Sequence, residues 1–221
     1  MFERIWKKLI RIGFRLLYFE MAWTYDVVSW IVSRGRWREW QRAALPFVTQ
    51  GDVLELGHGP GHMLAALSAA GCRAVGLDIS PFMGRLARSR SGAPLVRAEV
   101  QALPFASARF DTVLSTFPTE YIVSPDTLAA VHRVLKPGGR LVVVPEGHLT
   151  GEGMVNRLID WLFRITGQRH PYDDAAEKTA LQDEWASLRQ LAAAVGFEVS
   201  VAQIRLTGSE VVVVTAIRTS S

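Results

Sequence analysis

Val53-Leu54-Glu55-Leu56-Gly57-His58-Gly59-Pro60-Gly61 reads as a short apolar strand that runs into a glycine-rich turn and on into a helix. Glycines let a backbone turn sharply and come close to a ligand, and the start of the following helix offers free N–H groups to an anionic group. A dinucleotide-binding turn calls for G-x-G-x-x-G, but the third glycine position is taken here by His62. The spacing is instead G-x-G-x-G, with an acid, Glu55, two residues before the first glycine. Taken alone, such a turn also suits an ordinary strand-to-helix connection, so the flanking sequence has to decide.

Outward from this turn, short apolar runs alternate with helical segments. Strands are expected near 52–56, 73–77, 94–98, 110–115 and 140–145, and helices near 61–70, 81–90 and 125–135. Strand–helix alternation of this kind predicts an α/β fold, a parallel sheet with helices on both faces. A helix over about 182–195 precedes two final apolar runs, 197–206 and 210–218, with Gly208–Ser209 as a hairpin turn between them. Upstream of Pro46, helical spacing covers about 2–17, 24–33 and 36–45.

Four motifs then line up in order. The glycine turn is followed by Val75-Gly76-Leu77-Asp78-Ile79-Ser80, a second strand ending in an acid. An Asp there accepts hydrogen bonds from the ribose hydroxyls of a nucleoside, as it also does in dinucleotide enzymes. Next comes Glu99-Val100-Gln101-Ala102-Leu103-Pro104-Phe105 with Phe110-Asp111-Thr112-Val113, and last Arg133-Val134-Leu135-Lys136-Pro137-Gly138-Gly139-Arg140-Leu141. Together these resemble the class I S-adenosylmethionine-dependent methyltransferases of the type 11 kind, with Glu99 where that family usually has Asp. The resemblance implies a Rossmann-like, seven-stranded, mostly parallel sheet whose last strand is antiparallel. It implies S-adenosyl-L-methionine as cofactor. On this analogy Glu55 and the turn Gly57, His58, Gly59 and Gly61 take the methionine end. Asp78 takes the ribose, Ile79 packs on the adenine, and Glu99 with Val100 meets the adenine edge. Thr116 and Phe117 border the transferred methyl.

The acceptor is sought outside this core, since a fold does not fix a function. Of 221 residues, 49% are hydrophobic and 21% charged, as in ordinary globular chains. A lone cysteine, Cys72, excludes an intramolecular disulfide and a Cys-based zinc site. The net charge of +4 lies wholly in residues 1–42, which hold nine basic and four acidic side chains and five of the seven tryptophans. Residues 1–45 are therefore read as a basic amphipathic helical segment, and 46–221 as the methyltransferase domain with a helical insertion at about 147–180. No apolar run is long enough to span a membrane, and charges interrupt the start as they would not in a secretory signal. An organellar presequence fits the basic character of 1–19, but Glu3 and the lack of serines oppose it.

The stretch Trp23-Thr24-Tyr25-Asp26 through Ser29, Ser33, Arg34, Gly35 and Trp37 resembles the N-terminal segment of quinone-ring and phospholipid-headgroup methyltransferases. A basic amphipathic helix with tryptophans suits an anionic membrane surface; packing on the domain is the plainer alternative. In the insertion, Met154, Leu158, Trp161, Leu162 and Ile165 form an apolar stripe, suited to a lid as well as to a core helix. The expected location is cytoplasmic, peripheral on the inner face of the membrane. Nucleic acid is disfavoured because no recognition module is visible.

Alignment of nucleophile and leaving group drives much of methyl transfer from a sulfonium, so a dedicated base is not required. His148 is the candidate base where one is used. Tyr25, Phe117, Glu120 and Tyr121 are candidates to line the acceptor pocket. His58 and His62 have i, i+4 spacing, but His58 lies in the glycine turn and no metal site is expected. A soluble small-molecule methyltransferase and a non-catalytic cofactor-binding protein are the competing expectations.

Overall fold

The computed structural model describes residues 25–150 and 189–219. The expected helix over 2–17 and the apolar stripe Met154–Ile165 lie outside the described residues. Two N-terminal helices, α1 (Tyr25–Ser33) and α2 (Trp37–Arg42), precede β1 (Asp52–Leu56), α3 (His62–Ala69), β2 (Arg73–Leu77), α4 (Pro81–Ser91) and β3 (Leu95–Val96). Then come β4 (Phe110–Thr116), α5 (Pro125–Val134), β5 (Leu135–Val144), β6 (Gly147–Leu149), β7 (Phe197–Leu206) and β8 (Ser209–Arg218). Residues 189–194 are helical; the rest of the helix expected over about 182–195 upstream of them lies outside the described residues.

Every residue of β1 is buried, as in a strand paired on both edges and covered on both faces. The sheet runs β3–β2–β1–β4–β5–β8, and β7 pairs with β8. The first five strands are mutually parallel; β8 is antiparallel to β5 and to β7. The antiparallel last strand is the one expected from the family resemblance. It is inserted between β5 and β7.

Side chains alternate across the strands and build a core on each face. Leu54, Leu56, Val113, Leu141 and Val143 join Leu128 and Val131 of α5 on one face. Val53, Leu114, Val142 and Val144 join Met63, Leu64 and Leu67 of α3 and Trp40 of α2 on the other. Glu55 follows the Val53 alternation, so the sheet directs its carboxyl into the apolar layer beneath α3.

Three local expectations are corrected. Residues 147–149 pair with β8 (Gly147 with Val211, His148 with Glu210), so the expected insertion from 147 begins inside the sheet. The hairpin turn is Thr207–Gly208, one residue earlier than read, because Ser209 already pairs with Leu206. The helix expected over 36–45 divides into α2 and a 3-10 turn at Leu45–Phe47, with Pro46 inside that turn.

Candidate functional site

Strand β1 lies between β2 and β4, so the chain leaves it in one direction for β2 and β3 and returns on its other side at β4. A crevice opens at the carboxyl ends of the strands at such a switch point. The glycine turn occupies it. Gly57, Gly59 and Gly61 all have positive φ, between 50° and 84°. The Gly57 N–H donates to Leu77 O at 2.7 Å, which ties the turn to the end of β2. Gly61 starts α3, and a Cβ there would lie 2.7 Å from the Cα and Cβ of Ala87, so the α3–α4 crossing requires glycine. Above Gly59, by contrast, a Cβ would meet nothing within 4 Å among the described residues, which leave open space at that point.

Asp78 closes the turn from the end of β2. One carboxylate oxygen accepts from Gly59 N–H at 2.9 Å and the other from Ser80 N–H at 2.8 Å. The side chain is buried but keeps free lone pairs, since each oxygen can accept twice. Ile79 beside it is half exposed, at 47%, as an apolar wall for a ring would be. Glu99 is exposed and Val100 half-buried at the 3-10 turn Val100–Ala102, after β3.

Glu55 is fully buried, and its Oε2 has no hydrogen-bond partner among the described residues. Burial, reinforced by the negative charge of Asp78, pushes its pKa well above the carboxylate range, and the Leu64 N–H only partly offsets this. A buried carboxyl with an unpaired oxygen is costly unless a partner such as a cationic amine arrives. His58 sends its ring away from the open side: its Nδ1 lies 2.7 Å from Gly59 O, and the ring packs on Gly76. Only its backbone belongs to the turn surface.

The end of β4 carries the other half of the site. Thr116 is buried, and its Oγ1 accepts from Gln41 Nε2 of α2 at 3.0 Å. Phe117 holds φ at 52° and stacks on Trp37 at 3.9 Å between ring centroids, with Trp40 at 6.2 Å. A bulky residue with positive φ is strained, and such strain gathers at functional sites. The Tyr121 hydroxyl lies 2.9 Å from Ser115 Oγ, and a Cβ on Gly57 would come within 2.9 Å of that hydroxyl. Tyr121 therefore reaches the glycine turn. The side chains of Tyr25 and Glu120 lie outside the described residues. His148 sits on β6 with its Nε2 3.3 Å from Glu146 Oε1, an arrangement that holds its ring beside an acid.

Sequence reasoning missed Gln41, Ser115 and a cluster that joins α1 to the glycine turn. In that cluster Asp26 binds His62 Nε2 at 2.8 Å and Arg90 Nη2 at 2.7 Å, while Arg90 also donates to Pro60 O at 3.0 Å. Burial works against the Asp26 carboxylate, yet the His62 bond and the charges of His62, Arg90 and Arg38 hold its pKa below the usual value. Burial pushes the His62 imidazole down. The opposite end of the sheet is structural. There Asp52 is bound by Arg73 and Arg109 at 2.9 and 2.7 Å, and Asp111 by Lys136 at 2.8 Å.

Comparisons with known proteins bear on the fold. Residues 54–143 match the family described as "Methyltransferase domain", a span that runs from β1 to the end of β5. The chain is 32% identical over 151 residues to a demethylmenaquinone methyltransferase of Thermobifida fusca, a match covering 64% of each protein. To the enzyme of the same name from Renibacterium salmoninarum it is 35% identical over 136 residues, or 59% of this chain and 57% of that protein. The chain thus spans less than two thirds of the length of these curated relatives. Among solved structures, a SAM-dependent methyltransferase from Thermotoga maritima superposes with a TM-score of 0.57 at 18% identity. That match covers 97% of this chain and 98% of the other, a likeness of fold.

Proposed function

We propose, on the premise that this chain carries a class I S-adenosylmethionine-dependent methyltransferase domain, that it transfers a methyl group to a lipid-like acceptor at a membrane surface. The acceptor is a quinone precursor or a phospholipid headgroup. The observation that carries the cofactor reading is the glycine turn clamped by Asp78 above the buried, unpaired Glu55 oxygen. That donor set fits a molecule with an ammonium, a carboxylate and a ribose. The turn amides and Glu55 hold its amino-acid end, Asp78 offers its remaining lone pairs to the ribose hydroxyls, and Ile79, Glu99 and Val100 flank the base. When bound, the cofactor supplies an electrophilic methyl on a sulfonium. The protein contributes position: Thr116, fixed by Gln41, and Phe117, fixed by Trp37, set the floor on which the acceptor is aligned.

Similarity to demethylmenaquinone methyltransferases supports a quinone-related acceptor. Helix α1 supports the surface. Its inner face is polar: Ser33 Oγ donates to Ser29 O and accepts from Trp37 N–H, and both serines are buried. Its outer face is apolar, with Val27, Val28, Trp30 and Ile31 exposed, Trp30 at 64%. An amphipathic helix that turns its large apolar side chains outward, next to Arg34, Arg36 and Arg38, suits a lipid interface. Among the described residues no helix is long and apolar enough to cross a membrane.

The test measures labelled methyl transfer from S-adenosylmethionine to a demethylated quinone presented in anionic vesicles and, separately, to a water-soluble phenol. Transfer confined to the vesicle-borne acceptor, with binding lost when residues 1–20 are deleted and Trp30 is replaced by Ser, supports the reading. Equal activity on the soluble phenol, undisturbed by those changes, replaces it with a soluble small-molecule enzyme. A folded chain that binds no S-adenosylhomocysteine overturns the enzyme reading.

A further inference from the structure

A cavity of about 190 Å³ opens between α2, α3 and α4. Arg38, Gln41 and Arg42 of α2 form one wall, His62 and a run of alanines on α3 the floor, and Arg90 of α4 the far side. None of Glu55, Gly57, Gly59, Asp78 or Glu99 lines it.

Three arginines line the cavity, and among the described residues the acid beside them is Asp26, which together with Pro60 O already takes bonds from Arg90. Asp26 is already bound to Arg90 and His62, while Arg38 and Arg42 form no ion pair among the described residues. Arg38, Arg42 and Arg90 are themselves exposed, so water reaches them. In a concavity walled by alanine methyls their fields add, and planar guanidiniums match the oxygens of a phosphate bidentately. Gln41 lines the cavity as a neutral residue. It is buried, its NH₂ donates to Thr116 Oγ1, and its carbonyl oxygen has no hydrogen-bond partner among the described residues.

We propose that this cavity binds a phosphate-type oxyanion, a phosphate ester held by Arg38, Arg42 and Arg90. The site stands apart from the acceptor assignment, but Gln41 links it to Thr116, so an occupied cavity bears on the end of β4 where methyl transfer is placed.

Inorganic phosphate is titrated calorimetrically into the full chain, into Arg42→Gln and into the Arg38→Gln/Arg42→Gln double variant. S-adenosylhomocysteine binding by the same proteins serves as the check on folding. Binding at millimolar phosphate or tighter is expected, weakened about tenfold or more by the double variant, with the nucleoside affinity unchanged. No phosphate binding by a wild type that binds S-adenosylhomocysteine overturns the proposal, and so does binding indifferent to both substitutions. Mutual exclusion of phosphate and S-adenosylhomocysteine, with both weakened by Arg42→Gln, also overturns it, because the guanidiniums would then belong to the cofactor pocket. Vesicles of phosphatidylcholine with and without phosphatidic acid separate the sources. Release from phosphatidic acid vesicles by free phosphate supports a lipid phosphate as the ligand. Vesicle binding that persists while phosphate is bound supports a soluble phosphate ester in the same cavity.

Discussion

Replacing Asp78 by Asn changes the site by one donor group and almost no volume. In the native protein its two oxygens accept from Gly59 N–H at 2.9 Å and from Ser80 N–H at 2.8 Å. Asparagine has one oxygen, so it can serve one of these amides; its NH₂ then faces the other, donor to donor. Losing a hydrogen bond to a charged group costs about 1.5–3 kcal/mol, and an unpaired buried amide about 1–3 kcal/mol. At 9% exposure little water can replace the lost acceptor, and the two costs overlap because they concern one amide. The expected loss of stability is about 2–4 kcal/mol, or a fall in Tm of about 4–16 °C for a domain of this size. The ribose loses an acceptor and the turn its clamp, so affinity for S-adenosylhomocysteine should drop at least about tenfold, or 1.4 kcal/mol. Urea unfolding and calorimetry on Asp78→Asn and wild type read the two effects separately. An unchanged midpoint together with affinity within about twofold of wild type would refute both the clamp and the ribose assignment.

Gly61→Ala forces a side chain to φ 84° and against Ala87 at 2.7 Å, so it should lose about 2–4 kcal/mol in urea unfolding. Glu55→Gln should act in opposite directions on stability and binding. The folded state holds the Glu55 proton more tightly than the unfolded chain, so its burial lowers stability as pH rises above the ordinary carboxylate range. The variant should be more stable than wild type at neutral pH while binding S-adenosylhomocysteine more weakly; a loss of stability in urea unfolding would contradict the buried carboxyl with its unpaired oxygen. Asp52 is the reverse case. Hydrogen bonds from Arg73 and Arg109 hold its pKa well below the usual value. Its contribution is present above the unfolded value of about 4 and is lost as pH falls through the folded one. Acid titration of unfolding should therefore show Asp52→Asn less stable than wild type at neutral pH, with the difference closing as the pH falls below about 4.

Much of the fold was readable because its signals are local. Strand β1 was expected at 52–56 and β2 at 73–77, and both are found there. Helix α4 runs from Pro81 to Ser91 because Ser80 caps its start, accepting from Met83 N–H, and Gly92 at φ 62° ends it. The hairpin of β7 and β8 followed from two apolar runs with a glycine between them. Where such signals are weak, the sequence and the structure part. Residues 147–149 are too short a run to be seen as a strand, and only pairing with β8 makes them one.

The sequence by itself determined the order of strands and helices, the glycine turn and the acid at the end of β2, because period, turn chemistry and spacing act within a few residues. The tertiary structure alone decided which side chains serve that turn. Gln41 meets Thr116 across 75 residues, Arg90 meets Asp26 across 64, and Tyr121 arrives at Gly57 from the loop after β4. It also decided which face of α1 is outward and that Arg38, Arg42 and Arg90 enclose one cavity. No local pattern carries these facts, since they depend on how α1 and α2 pack against α3 and α4. That packing follows from the shape and burial of whole apolar faces.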